Sequence, residues 1–235
     1  MSIYPSIIKP FVSKERYSYL TDLTLLKKNG LNLELMTDYE QTEEMCLIAV
    51  QQNYFSFKYV NNKTDAIWLT ALKQHGGLLK HHSNPTKKMI SVALAQNGLS
   101  LNYVENQTEE MCKIAVKSFG YALEYVKNQT PEICMFAVKR DGYSIKYVHN
   151  KTEELCLAAV NEDGISLQYI KNPSQKVCLT AVKNNGRSLE FVENQTEELC
   201  IAAIKNSSRA APFIKNVTNR IKIEFKKYWP SEPTI

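Results

Sequence analysis

The sequence predicts an all-α fold, an α-solenoid of stacked 22-residue helix-turn-short-helix repeats with terminal caps. Three observations carry that prediction. A threonine, once replaced by serine, recurs every 22 residues at Thr42, Thr64, Thr86, Thr108, Thr130, Thr152, Ser174 and Thr196. Seven residues after each comes an alanine: Ala49, Ala71, Ala93, Ala115, Ala137, Ala159, Ala181 and Ala203. Glycine fills a third slot in six of the eight units, at Gly76, Gly98, Gly120, Gly142, Gly164 and Gly186. A fixed short period without insertions marks one supersecondary unit copied and stacked, each copy completing its neighbour's core.

Residues 1–40 form an N-terminal segment with a degenerate capping repeat. Within it Tyr17 to Asp38 echoes the period through Leu25, Leu26, Gly30, Leu33, Leu35 and Met36. Residues 41–216 hold the eight repeats. In the unit that starts at Thr108, the threonine is a preferred N-cap, its side-chain oxygen accepting from an unpaired backbone N–H. Glu109 and Glu110 fall in the first turn, where the helix dipole favours negative charge. In the next unit Pro131 takes the first helical position, where its missing N–H costs nothing. Met111, Cys112, Ala115 and Val116 recur at spacings that make one apolar face. Gly120 is expected to end the helix with a positive φ.

A short second piece follows, Tyr121 to Val126. Serine at its second position in other units (Ser56, Ser100, Ser144, Ser166, Ser188) reads as a cap. Tyr and Val would also suit a strand. Strict alternation is missing, so a short helix is expected, held by packing because six to eight residues do not form a helix alone. The invariant alanine is expected where helices cross, since small side chains allow axes near 8 Å apart. Asn62, Asn84, Asn106, Asn128, Asn150, Asn172, Asn194 and Asn216 close the units and read as turn residues that tolerate left-handed φ, forming an edge ladder. A glycosylation reading of Asn106-Gln107-Thr108 is weak, because no secretory leader is visible and Pro85 and Pro173 break two of the sites. Residues 217–235 are expected to be a basic C-terminal capping helix and tail, with Thr218 restarting the period and Ile221 and Phe225 at helix spacing.

The net charge is +5, but residues 1–204 carry 22 basic and 22 acidic side chains, while residues 205–235 carry seven and two. A balanced array is a poor electrostatic match for a polyanion. Nucleic-acid binding is therefore expected to be weak at most and confined to the basic patch Arg220, Lys222, Lys226 and Lys227. No apolar run approaches the ~20 residues that cross a bilayer, and no leader is visible. An intracellular protein is expected, in the host cytoplasm if the chain is viral, with no membrane contact.

Cys46, Cys112, Cys134, Cys156, Cys178 and Cys200 share one repeat slot, which Trp68 and Ile90 fill in two other units. Stacked equivalents about 8–10 Å apart are too distant for a disulfide or a shared zinc, so buried, reduced thiols are expected. His81 and His82 replace the usual Tyr-Val pair, and with His75 they are read as an eroded second repeat loosened by Gly76-Gly77, not as a metal site. No phosphate loop or nucleophile elbow occurs. The expectation is a protein without catalysis, metal or cofactor. The periodic stripe Tyr59, Tyr103, Tyr125, Tyr147, Tyr169, Phe191 and Phe213 is expected in the core with its hydroxyls at the rim. The residue after the glycine slot varies (Phe55, Leu99, Tyr121, Tyr143, Ile165, Arg187) and is expected to be an exposed row suited to protein contacts.

The pattern Asn-x-Thr-x-Glu-x-Cys-x-x-Ala-Val-x-x-x-Gly-x-Ser-Leu-x-Tyr-Val, from about Gln41 to Lys215, resembles short αα repeats of unknown function abundant in giant DNA viruses of amoebae. The resemblance implies helical repeats and, by analogy, a binding role, with no catalytic residue to carry over. The expected function is a scaffold that binds a protein partner along the solenoid surface. The rivals are a helical repeat protein reading single-stranded RNA, an enzyme, for which no residue constellation speaks, and a structural protein that self-associates as a homo-oligomer.

Overall fold

Each repeat begins where its threonine or serine side chain caps a helix. Oγ accepts from the backbone N–H three residues on, at 3.2–3.5 Å, as between Thr42 and Met45 or Thr64 and Ile67. The computed structural model describes residues 14–36, 41–233 and 235, and side chains from Tyr19 onward. The end of the predicted first repeat, at residues 37–38, lies outside the described residues. Among those described the secondary structure is helical, with no strand. The chain forms two compact units, residues 1–96 and 97–235.

The first unit contains α1 (Lys14–Lys28), α2 (Glu43–Gln52), α3 (Asp65–Gln74) and α4 (Lys87–Gln96). The second contains α5 (Glu109–Ser118), α6 (Pro131–Arg140), α7 (Glu153–Glu162), α8 (Gln175–Asn184), α9 (Glu197–Asn206) and α10 (Asn219–Tyr228). A short 3-10 helix follows each long helix that has a successor in its unit, such as Gly120–Tyr125 after α5 and Gly142–Tyr147 after α6. Within a unit, successive long helices stack on one another, and each also packs on the short helices around it. The result is the two-layered repeat stack of an α-solenoid. Its core draws on the predicted faces: Met111, Cys112, Ala115 and Val116 from α5, with Leu123 and Val126 behind them, are all buried.

The short element is helical, as the missing alternation predicts, and its six residues take the tighter 3-10 winding favoured in short pieces. The capping differs from the expectation. The long helix ends one residue before the glycine, at an extended residue such as Asp141 (φ −156°). That side chain then caps the short helix, accepting from the Tyr143 N–H at 3.0 Å. Asn53, Asp163, Asn185 and Ser207 do the same double duty, and Asn97 caps its short helix in the same way.

Glycine is therefore not a left-handed stop, and no described glycine has positive φ. It is needed for space. A Cβ on Gly142 would stand 2.6 Å from the Ala159 carbonyl oxygen and 2.8 Å from Ser166 Oγ in the next repeat. The serines are likewise not caps. Ser56, Ser100, Ser144, Ser166 and Ser188 are buried, and their hydroxyls have no hydrogen-bond partner. Ala122 and Ala210 also fill this slot, fully buried, whereas in the repeat of Thr64 the larger Leu78 takes it, half-buried.

The asparagine ladder does not form. Only Asn172 is left-handed, at φ 49°, and the eight side chains lie exposed. In the N-terminal segment Leu26, Gly30, Leu33 and Met36 pack inward as the echo predicts, whereas Leu35 is 77% exposed. At the other end Ile221 and Phe225 of α10 are buried, α10 packs on α9, and Trp229 Nε1 donates to the Ile204 carbonyl at 2.6 Å.

Candidate functional site

The row predicted to face outward lies at the surface, and its members differ in exposure. In the first unit Phe55 is 57% exposed. In the second unit Arg187 is exposed, and Leu99, Tyr121, Tyr143 and Ile165 are half-buried. What half-buries the tyrosines is the stripe predicted to be core. Tyr121 meets Tyr147 of the next repeat nearly perpendicularly, with centroids 5.9 Å apart, and Tyr143 meets Tyr169 at 5.8 Å. The Arg187 guanidinium lies 5.9 Å from the Phe213 ring. The stripe thus leaves the core: Tyr147, Tyr169, Phe191 and Phe213 are half-buried and Tyr103 is 46% exposed. The true core slot is the apolar residue two positions earlier, such as Ile145 before Tyr147 and Leu167 before Tyr169. Within the second unit, row and stripe together make one aromatic strip. Burial first, and nearby carboxylates second, push the Tyr121 and Tyr143 hydroxyls above the usual tyrosine range, so they remain neutral hydrogen-bonding groups.

In the first unit the second repeat is rebuilt, not eroded. Trp68 fills the cysteine slot, with Phe57 at 4.5 Å on one side and His82 at 4.5 Å on the other. Tyr54 stacks on Phe55 at 4.2 Å and on His75 at 4.8 Å. Gly76 and Gly77 are ordered in a 3-10 helix. Gly77 stands in the row position, where an added Cβ would meet the His75 ring at 2.9 Å. An open cavity of about 450 Å³ lies beside Phe55, lined by Tyr54, Phe57, Trp68, His75 and His81 and by Lys58, Lys63 and Lys80.

The six cysteines are buried free thiols, as their shared slot predicts. Burial pushes each above the usual thiol range, which suits packing and weak donation, not nucleophilic chemistry. Among the described residues no cluster of three or more His, Cys, Asp or Glu is placed to hold a metal. No described helix is long and apolar enough to cross a membrane.

The basic patch is largely engaged within the chain. Arg220 pairs with Glu197 at 3.0 Å. Lys226 donates to the Glu232 carbonyl at 2.7 Å, and Lys227 lies 4.0 Å from Glu224. Lys222 is exposed and makes none of these contacts.

Sequence reasoning missed the glutamine that precedes four of the capping threonines. Gln41, Gln107, Gln129 and Gln195 each donate through Nε2 to the backbone carbonyl 18 residues on, at 2.8–3.0 Å. Each accepts through Oε1 from the N–H 20 residues on, at 3.0 Å. One carboxamide thereby clamps the turn of the next repeat. A second amide at the far end of the long helix works alike: Asn184 and Asn206 accept from the N–H of Gly164 and Gly186 and donate to carbonyls at the end of the preceding helix. The recurrence of Gln before Thr was visible in the sequence. Its partners, a full repeat away, were not.

Fold and surface together define a helical protein of short stacked repeats. A family described as a domain of unknown function (DUF4116) matches residues 108–152 and again 130–173. The two matches start 22 residues apart, one repeat, and fall within the second unit. No curated protein matches the chain, and no solved structure does.

Proposed function

We propose that this protein is a non-catalytic scaffold that binds another protein through the aromatic strip of its repeats. The observation that carries the reading is the strip itself. Tyr121, Tyr143, Tyr147 and Tyr169 present half-buried rings at the surface, locked edge to face across repeats. Rigid, partly exposed aromatics are the residues that dominate protein interfaces, because they bury large area at small entropic cost. The open cavity beside Phe55 offers the first unit an anchor pocket of the same character, within the volume range usual for ligand sites. The six unpaired thiols suit a reducing, intracellular place of work, the host cytoplasm if the chain is viral.

Nucleic acid is a minor partner on this reading. The balanced charge of residues 1–204 gives it little hold, and Arg220, Lys226 and Lys227 already have partners within the chain. Any affinity through α10 should vanish as salt rises, because few phosphates are contacted.

The test is capture of partners from the native cell by the wild type and by a Tyr121→Ser/Tyr143→Ser variant, after melting curves show that the variant folds. A partner retained by the wild type and lost by the variant supports the strip. Equal retention places the contact elsewhere, and RNA as the material retained at physiological salt replaces the protein-scaffold reading.

A further inference from the structure

We propose that the turn at Pro173 is a receptor for a primary carboxamide, the side chain of a glutamine presented by a partner polypeptide. Four repeats fill the equivalent slot themselves, with Gln41, Gln107, Gln129 and Gln195. In all four the amide meets a carbonyl 18 residues on, an N–H 20 residues on and a cysteine thiol five residues on, and in two of them a second carbonyl as well. For Gln195 these are the Phe213 carbonyl at 2.8 Å, the Leu189 carbonyl at 3.2 Å, the Lys215 N–H at 3.0 Å and the Cys200 thiol at 3.7 Å. Gln129 repeats the set with Tyr147, Leu123, His149 and Cys134.

At position 173 the glutamine is replaced by proline, which has neither donor nor acceptor in its side chain. The receiving groups remain. By the same offsets they are the Phe191 carbonyl, the Leu167 carbonyl, the Glu193 N–H and the Cys178 thiol. The Phe191 carbonyl and the Glu193 N–H have no hydrogen-bond partner within the described chain. The Leu167 carbonyl accepts one bond, from the Ile170 N–H at 3.0 Å, and the Leu123 carbonyl shows that a second is accommodated there. All four residues line one open cavity of about 760 Å³.

The pattern of the open groups selects the ligand. Acceptors and donors lie side by side, so the occupant must donate and accept from adjacent atoms. A primary carboxamide does both. A carboxylate has no hydrogen for the Phe191 carbonyl, and an ammonium has no acceptor for the Glu193 N–H. The neighbouring slot, at Lys151, is less open. Its lysine is retained, with Nζ donating to the Val148 carbonyl at 2.8 Å. It still leaves a second cavity of about 500 Å³, which shares Ile170, Lys171, Asn172 and Pro173 with the first. Together they leave room along the loop edge for the chain on either side of a docked glutamine. This surface borders the aromatic strip, whose Phe191 and Tyr169 line the two cavities, but its test reads the Glu193 amide and changes no strip residue.

The experiment is an NMR titration of the full-length, 15N-labelled protein with three probes: N-acetylglutamine methylamide, N-acetylglutamate methylamide and N-acetylnorvaline methylamide. The expected result is a saturable shift of the Glu193 amide resonance with the glutamine probe alone. Pro173→Gln lets the chain fill its own slot, and should weaken probe binding at least tenfold and raise Tm. Pro173→Ala leaves the slot open and should bind the probe within about twofold of the wild type. Three outcomes overturn the proposal: no response at Glu193, equal responses to the glutamine and norvaline probes, or undiminished binding by a folded Pro173→Gln protein.

Discussion

A single added methyl group does not fit at Gly142, the start of its short helix. Gly142 has no unusual φ to justify it, so Gly142→Ala would ordinarily stabilise by reducing unfolded-state entropy. Here the new Cβ would lie 2.6 Å from the Ala159 carbonyl oxygen, backbone that moves only if the repeat does. Overpacking of this kind costs about 1–3 kcal/mol. We expect Gly142→Ala to lower the unfolding free energy by that amount, read from the denaturant midpoint and slope; a neutral or stabilising result would restore the turn explanation. The thiols give a second prediction at this scale. Their folded-state pKa values are raised by burial, so above the ordinary thiol range of about 8.5 the unfolded chain ionises before the folded one. Their contribution is present at neutral pH and is lost as pH climbs through that range toward the raised values. Stability should fall as pH rises above about 8.5, less steeply in a Cys134→Ala/Cys156→Ala variant. Native protein should resist thiol labelling that reaches all six cysteines once it is unfolded. Rapid native labelling of most of them would reject the buried assignment.

At the scale of the element, one repeat is tied to the next by amides as well as by apolar contact. The Gln129 side chain bridges its own unit and the turn at Tyr147–His149. Removing it in Gln129→Ala leaves that carbonyl and N–H to water, and should cost about 1–2 kcal/mol. Hydrogen exchange at the His149 amide should quicken while the core amide of Val138 changes little; a uniform change would mean that the clamp is not local. The long helix could be read from sequence because cap, charge and apolar period all fall within ten residues, as in Glu109–Ser118. The misread caps had a physical cause. Serine in Ser144 and glycine in Gly142 carry strong local associations, and here their slots were set by contact with another repeat.

At the scale of the molecule, a repeat stack is stabilised by neighbours more than by distant contacts. Helix α10 covers one face of α9 through Ile221 and Phe225, with Trp229 pinned to Ile204. Each such side chain contributes about 1.5–3 kcal/mol on burial. Removal of residues 217–235 should therefore fray the second unit from α9, seen as faster exchange there, a lower Tm and a tendency to aggregate. A truncated chain that stays monomeric with unchanged melting would make α10 an appendage instead of a cover.

What the sequence determined by itself is everything carried by short range and by period. The 22-residue spacing set the number and order of the helices in residues 41–216, and the threonine slot set their starts. The shared position of Cys112, Cys134 and Cys156 set which face is buried. Only the tertiary structure decided how copies meet: that Gly142 is small because Ala159 and Ser166 approach it, that Tyr147 leaves the core for Tyr121, and that Gln195 reaches Phe213. These are contacts between equivalent slots of different repeats. A perfect period repeats the slots identically and so does not reveal which of them touch.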